Sequence, residues 1–421
     1  MTLAELLPSL RTSLRPHLDP DVWPLTARWG THGELLVGGV RTTALAATYG
    51  TPVHVVAEAD VRARCTEYVA AFGADAVAYS AKAGLSAGEG WWIAEQGLGC
   101  YVGSAGELRT ALLAGFRPSG IVLYGSGKSV SDLDAAYECG AAVVAGSSAE
   151  IETIAARAPI GQRVFVRVVA AGRGRCRYGL RLGSGTALAA INTLLSSPNL
   201  LLAGLDCSIG HQLSRFQAYE SCLREAMAFG AVLRSRTGVS LPALNLGGGH
   251  AVAYAEGDFG FALTAFAARI HAMSRLSADR YGIEAPRLTV SPGRAIVARA
   301  GLTLYRVTSV SAAGDRLVVH LDGDVCDCAT DAECAGRHTV ELVGRVSKAP
   351  TRPATLVGGP GDACLPADLS AGDLLAVAGT GAYHHRPDRF AGRPPVLAVV
   401  DGLVSTLVRR ETLADLFARS D

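Results

Sequence analysis

From about residue 52 the chain alternates between two spacings of apolar residues. VHVVAEA, AVAYSAK, CYVGS, GIVLYG, AAVVAGS, RVFVRVV, LLAGLDCS and LPALNLGGG read as short buried strands. Between the earlier ones lie ADVRARCTEYVAAFG, GEGWWIAEQG, AGELRTALLAG, SVSDLDAAYECG and SAEIETIAARA, which read as helices. LTVSPGRAIV closes the series near residue 297. Strands alternating with helices predict βαβ units and a parallel sheet. Eight or so units over about 245 residues fit a (β/α)8 barrel better than an open sheet. After residue 300 the helical spacing stops. LTLYRVTSVSAAGDRLVVHLDG, HTVELVGRV, ATLVGG, GDLLAVAG and PPVLAVVDG read as strands joined by turns, an antiparallel β domain. The expected division is an N-terminal segment 1–50 that adds a hairpin strand to the β domain, a barrel over 51–298, and the β domain over 299–421.

Composition narrows the partners. Lys plus Arg is 39 and Asp plus Glu is 38, a formal net charge of +1. Nucleic-acid binders concentrate a basic excess, so none is expected to bind here. No run of about 18 apolar residues suggests a membrane span, and the N-terminus lacks a signal-peptide pattern. The expectation is a cytoplasmic protein with reduced cysteines, of which Cys65, Cys100, Cys139, Cys176, Cys207 and Cys222 read as small core residues. Only three lysines occur, Lys82, Lys128 and Lys348, against 36 arginines.

That scarcity sharpens the candidate chemistry. Lys82 ends the strand AVAYSAK, and the C-terminal strand ends of a barrel carry its active site. Desolvation there lowers an amine's pKa and frees it for Schiff-base chemistry; the alternative is a plain surface lysine. Gly247, Gly248 and Gly249 follow the strand ALNL and let backbone N–H groups approach an anion, although a tight turn gives the same run. Ser291-Pro292-Gly293-Arg294 ends the last barrel strand. An amine after an early strand and a phosphate site after late ones fit pyridoxal phosphate held at both ends. The basic run Arg173, Arg175, Arg177 reads as a solvated loop.

In this order the motifs GTPVHVV, AYSAKA, GSAGEL, YGSGKS, CRYGL, GLDCSIGHQ, LNLGGG, SPGRAIV, LYRVTSV, GAY at 381–383 and GRPPVLAVVDG resemble the fold-type III pyridoxal-phosphate decarboxylases, in the diaminopimelate decarboxylase branch. The resemblance covers nearly the whole chain. It implies the barrel plus C-terminal β-sandwich or barrel domain shared with alanine racemase and ornithine decarboxylase, and a head-to-tail homodimer with shared active sites. It implies that Lys82 binds the cofactor covalently and that Gly247, Gly248, Gly249, Gly293 and Arg294 hold its phosphate. Tyr383 matches the family tyrosine that reaches the phosphate region. Lys128 falls in a family motif with a structural role. The family's Cys-x-x-x-Asp motif, in which the partner's cysteine returns a proton to the substrate carbon, is matched by Cys364 and Asp368, with Asp368 a candidate substrate contact and Asp362 a rival acidic position.

Four departures bear on the reaction. The family glutamate that hydrogen-bonds the protonated ring nitrogen is Ser291 here, and a serine cannot hold that proton by charge pairing. The family H-I-G-S is Ser208-Ile209-Gly210-His211, with the stacking histidine and the phosphate-contacting serine exchanged. Tyr101 stands at a usual aspartate, a candidate substrate contact. The substrate-reading stretch is LDGDVCDCATDAECAGRH, without the family R-P-x-L-Y, which argues against meso-diaminopimelate as substrate. Its Cys326, Cys328 and Cys334, with His338 nearby, are imperfectly spaced for zinc, so no metal is expected. The leading expectation is decarboxylation of an amino acid or amino-acid conjugate, in specialised metabolism. Racemisation, epimerisation or elimination on the same scaffold is the second reading, and a non-catalytic relative the third.

Overall fold

The two spacings separate in space. A computed structural model describes residues 18–31, 33–170, 178–207, 209–323, 338–384 and 392–418. The chain forms two units, one of Met1–Val61, Val252–Gly260 and Ile296–Asp421, the other of Arg62–Ala251 and Phe261–Ala295. The first unit opens with a small antiparallel sheet, β1 (Arg28–Trp29), β2 (Leu35–Val37) and β3 (Val40–Arg41). Then comes β4 (Val53–Ala57), buried at all five positions.

The second unit is the barrel. Its eight parallel strands are β5 (Ala78–Ser80), β6 (Gly99–Val102), β7 (Ile121–Leu123), β8 (Ala142–Ala145), β9 (Gln162–Val169), β11 (Leu200–Cys207), β12 (Ala243–Asn245) and β13 (Arg287–Thr289), with β10 (Leu180–Arg181) an extra strand on β9. A parallel bridge between Val77 and Val290 joins the last strand to the first, with Ala78 N donating to Val290 O at 3.0 Å. Inward side chains of Tyr101, Val122, Ala142, Val144, Phe165 and Ala243 fill the interior, as apolar parallel strands require. Four of the barrel helices begin at serines. Ser86, Ser104, Ser129 and Ser147 each accept the N–H of an acidic residue three positions on, satisfying a donor the helix cannot.

The first unit resumes with β14 (Gly301–Ala313), β15 (Arg316–Leu321), β16 (Val340–Leu342), β17 (Thr351–Val357), β18 (Gly361–Pro366), β19 (Leu374–Ala378), β20 (Val396–Val400) and β21 (Leu403–Val408). Its main sheet runs β18-β17-β15-β14-β4-β20-β21, over a core that includes Tyr305, Val319, Leu356 and Val377.

Two expectations change. VHVVAEA, read as the first barrel strand, lies in this other sheet, antiparallel to β14 and parallel to β20. A short apolar run carries no mark of which buried sheet it will enter. The last barrel strand, β13, stops at Thr289, and residues 294–297 are helical after the Ser291-Pro292-Gly293 turn. The β domain is mixed, since β15–β17 and β20–β4 are parallel pairs. Among the described residues no helix is long and apolar enough to cross a membrane.

Candidate functional site

Three loops converge at the C-terminal end of the barrel. Lys82 sits in a single 3-10 turn directly after β5, exposed between the buried Ala81 and Ala83. Its turn packs on the loop after β13: Ser80 N donates to Pro292 O at 3.0 Å, and a Cβ on Gly293 would lie 2.9 Å from that of Ala83. The glycine run wedges between that loop and the one after β11. A Cβ on Gly248 would lie 1.8 Å from Ser291 O, and one on Gly249 2.0 Å from Gly210 O. No side chain fits at either position, so bare backbone is compelled there. Arg294 is buried beside them, and His211 is exposed in the loop after β11. Ser208 and the cysteines 176, 326, 328 and 334 lie outside the described residues, as do arginines 173, 175 and 177.

The expected desolvation of Lys82 is not found, since its side chain is exposed. The buried lysine is Lys128, which pairs with Glu150 and donates to Gly125 O at 2.6 Å and Tyr178 Oη at 3.2 Å. Tyr178 Oη donates in turn to Glu150 Oε2 at 2.9 Å. Burial lowers the Lys128 pKa, and Glu150 opposes the shift. Lys128 therefore ties the loops after β7 and β9 to the helix Ser148–Ala155 that follows β8, a structural role.

Beneath the loops lies a polar cluster that sequence reasoning missed. Arg167 on β9 pairs with Asp206 on β11, whose carboxylate is 1% exposed. Asn245 on β12, fully buried, donates through Nδ2 to Asp206 Oδ1 at 2.6 Å and Tyr101 Oη at 2.9 Å, with Ser291 Oγ at 3.3 Å. Burial, reinforced by the Asp206 charge, holds the Tyr101 phenol well above its ordinary pKa. Tyr101, read as a substrate contact, is thus a buried member of the barrel interior. The available signal was a charge flanked by apolar neighbours on both sides, Arg167 in VFVRVV and Asp206 in GLDC.

The remaining candidates belong to the other unit. Tyr383 is half-buried with φ of 67°, a left-handed conformation uncommon away from glycine. Cys364 is exposed on β18, opposite Pro353. Asp368 is engaged within its own chain, by Arg345 at 3.1 Å and by the Ser347 hydroxyl, whose hydrogen bond lowers its pKa. Asp362 pairs with Arg316 at 2.7 Å. His338 is buried, its Nδ1 2.8 Å from Ala378 O and its ring 4.7 Å from that of Tyr254. Among the described residues no group of three or more His, Cys, Asp or Glu is arranged to hold a metal.

A primary amine at a barrel strand end, a backbone run too tight for side chains and a buried arginine are the groups that a phosphate-bearing carbonyl cofactor calls for. The sequence profile described as "Pyridoxal-dependent decarboxylase, pyridoxal binding domain" matches residues 58–298, and the chain belongs to that family. Diaminopimelate decarboxylase of Actinosynnema pretiosum subsp. auranticum is 41% identical over 444 residues, covering 100% of both chains. That of Mycobacterium tuberculosis (strain ATCC 25618 / H37Rv) is 36% identical over 441 residues, covering 96% of this chain and 98% of the relative. Among solved structures, diaminopimelate decarboxylase from M. jannaschii in complex with L-lysine superposes with a TM-score of 0.86 at 25% identity, covering 94% of this chain and 98% of that one. The chain is a pyridoxal-phosphate-dependent amino-acid decarboxylase with the barrel and β-domain architecture of its family. These relatives overturn the reading of a non-catalytic relative.

Proposed function

We propose that the chain decarboxylates an α-amino acid or amino-acid conjugate whose distal end differs from that of meso-diaminopimelate, in specialised metabolism. The observation that supports the chemistry is the packing of the Lys82 turn against the Ser291-to-Arg294 loop and the glycine run. When bound, pyridoxal phosphate supplies an electron sink for the pair released as carbon dioxide leaves. Lys82 provides the amine that anchors the cofactor; the backbone at Gly247, Gly248, Gly249 and Gly293, together with Arg294 and His211, receives its phosphate. Exposed Cys364 of a second subunit supplies the proton that replaces the carboxylate, which makes a homodimer the working form. Asp368 is already held by Arg345, so its part is to fix the turn after Cys364 and not to read substrate.

The missing R-P-x-L-Y motif supports the altered substrate. A second reading, meso-diaminopimelate itself, is favoured by the full-length similarity to relatives named for that reaction. Carbon dioxide release from meso-diaminopimelate, set against a panel of other diamino acids and their conjugates, separates the two. Faster turnover of meso-diaminopimelate than of every panel member overturns the first reading. Deuterium entering the α-carbon from solvent without carbon dioxide release would replace decarboxylation by racemisation. Lys82→Ala is expected to lose turnover by at least a factor of about 1,000, as loss of a covalent anchor does.

A further inference from the structure

Asn245 is the hub of the buried cluster, and its orientation is fixed. Its Oδ1 accepts the Gly247 N–H at 3.0 Å, so its Nδ2 faces Asp206, Tyr101 and Ser291. Two amide hydrogens serve three neighbours. The carboxylate accepts only, and at 2.6 Å it takes one. The other hydrogen lies between the two hydroxyl oxygens, each of which accepts. The protons of both hydroxyls therefore point away from Asn245. The Tyr101 phenol stays protonated, since burial and the nearby Asp206 charge raise its pKa. The Ser291 proton remains, half-buried on the loop that packs against the Lys82 turn. The charge balance points the same way. The Asp206 carboxylate is matched by the Arg167 guanidinium, so the pair offers no surplus negative charge to stabilise a cationic ring.

We propose that Asn245 is a positioning residue that turns the Ser291 hydroxyl into a hydrogen-bond donor toward the ring nitrogen of pyridoxal phosphate, which this enzyme holds unprotonated. A serine hydroxyl donates only to a nitrogen whose lone pair is free. The cluster thereby sets the cofactor to a weaker electron sink than a carboxylate partner does. The inference rests on cofactor binding and is independent of which amino acid is decarboxylated.

The test is the nitrogen-15 resonance of ring-labelled pyridoxal phosphate in the reconstituted holoenzyme without substrate, which reports ring protonation whether or not the enzyme turns over. The wild type is expected to show the shift of an unprotonated, hydrogen-bonded pyridine. Ser291→Glu is expected to move it to the protonated position. Asn245→Asp, which deprives Ser291 of its incoming hydrogen bond and lets it donate inward, is expected to move the resonance away from the wild-type value. Ser291→Ala serves where Asn245→Asp fails to fold, and is expected to move the shift toward that of a pyridine with no hydrogen bond. A protonated nitrogen in the wild type overturns the proposal. So does a wild-type shift retained in Asn245→Asp or in Ser291→Ala.

Discussion

Two arginine–aspartate clusters differ in how far they are withdrawn from water. In the barrel, Arg167, 22% exposed, meets an Asp206 carboxylate that is 1% exposed and also hydrogen-bonded by Asn245. In the β unit, Arg345 is 34% exposed and grips Asp373 through two parallel bonds, Nε to Oδ1 at 2.7 Å and Nη2 to Oδ2 at 2.8 Å, with Asp368 alongside. The second has the better-defined bidentate geometry, yet the first matters more. Water replaces a surface partner at little cost, whereas a buried charge that loses its partner has nothing to turn to. The buried pair also orients an amide that reaches Ser291, so its charge balance bears on the reaction. The surface cluster fixes one turn.

The largest effect expected from that contrast is at Asp206. Asp206→Ala should destabilise the holoenzyme by about 3–4 kcal/mol, because the fully buried Asn245 amide loses the acceptor of its Nδ2 and Arg167, 22% exposed, loses its carboxylate. Replacing both partners by apolar residues, Arg167→Met with Asp206→Leu, should recover part of that loss. Urea unfolding followed by circular dichroism measures both. If the double variant is no more stable than the single, the loss comes from packing and the contrast fails.

Acid supplies the next largest effect. His250 is buried against Phe261, ring centroids 4.4 Å apart, with Nδ1 2.7 Å from Tyr68 Oη. Burial pushes its pKa down from 6.5 to about 3, and Arg64 adds to the shift. The ring is neutral in the fold, and above pH 6.5 it is neutral in the unfolded chain too. Below pH 6.5 the unfolded chain takes the proton and the folded one does not, so stability falls with pH until the folded ring titrates. The loss between pH 6.5 and pH 4 is about 3 kcal/mol. In the β unit, burial also lowers the His338 pKa, which acts in the same direction. Unfolding curves of the wild type and His250→Gln across that range test this. Parallel slopes would assign the acid sensitivity elsewhere.

The architecture was legible because eight apolar runs separated by helices admit few solutions, and the Lys82, glycine and Ser291 loops fell at strand ends where a barrel puts chemistry. What stayed hidden had physical causes. β4 has the same apolar run as a barrel strand, and only its long-range partners β14 and β20 assign it to the other sheet. Asp206 and Asn245 looked unremarkable because their meaning arises from neighbours 39 residues apart in sequence. Tyr101 was read as a substrate contact because it stands at a usual family aspartate, and its burial among barrel side chains comes from strands distant in sequence. Lys82 was expected to be desolvated by its apolar strand, but the turn after β5 lifts it clear of that strand.

Smaller effects sharpen the contrast further. Ser129 closes a capping box with Asp132 at the start of the helix Val130–Cys139, and Ser129→Ala should cost about 1 kcal/mol through the lost N-terminal acceptor. Its thermal melt should fall by a few degrees with little dependence on salt, since the bond is local. Arg345→Ala should cost about 1 kcal/mol or less, because its partners are partly solvated and the freed carboxylates rehydrate. That small loss should shrink as salt screens the pair, while the Asp206→Ala loss should persist, because ions do not reach a carboxylate buried in the barrel. Unfolding each variant at low and at high sodium chloride therefore reads burial directly. If Arg345→Ala proved as costly as Asp206→Ala and equally indifferent to salt, the bidentate geometry of the surface pair, and not its exposure, would govern its strength.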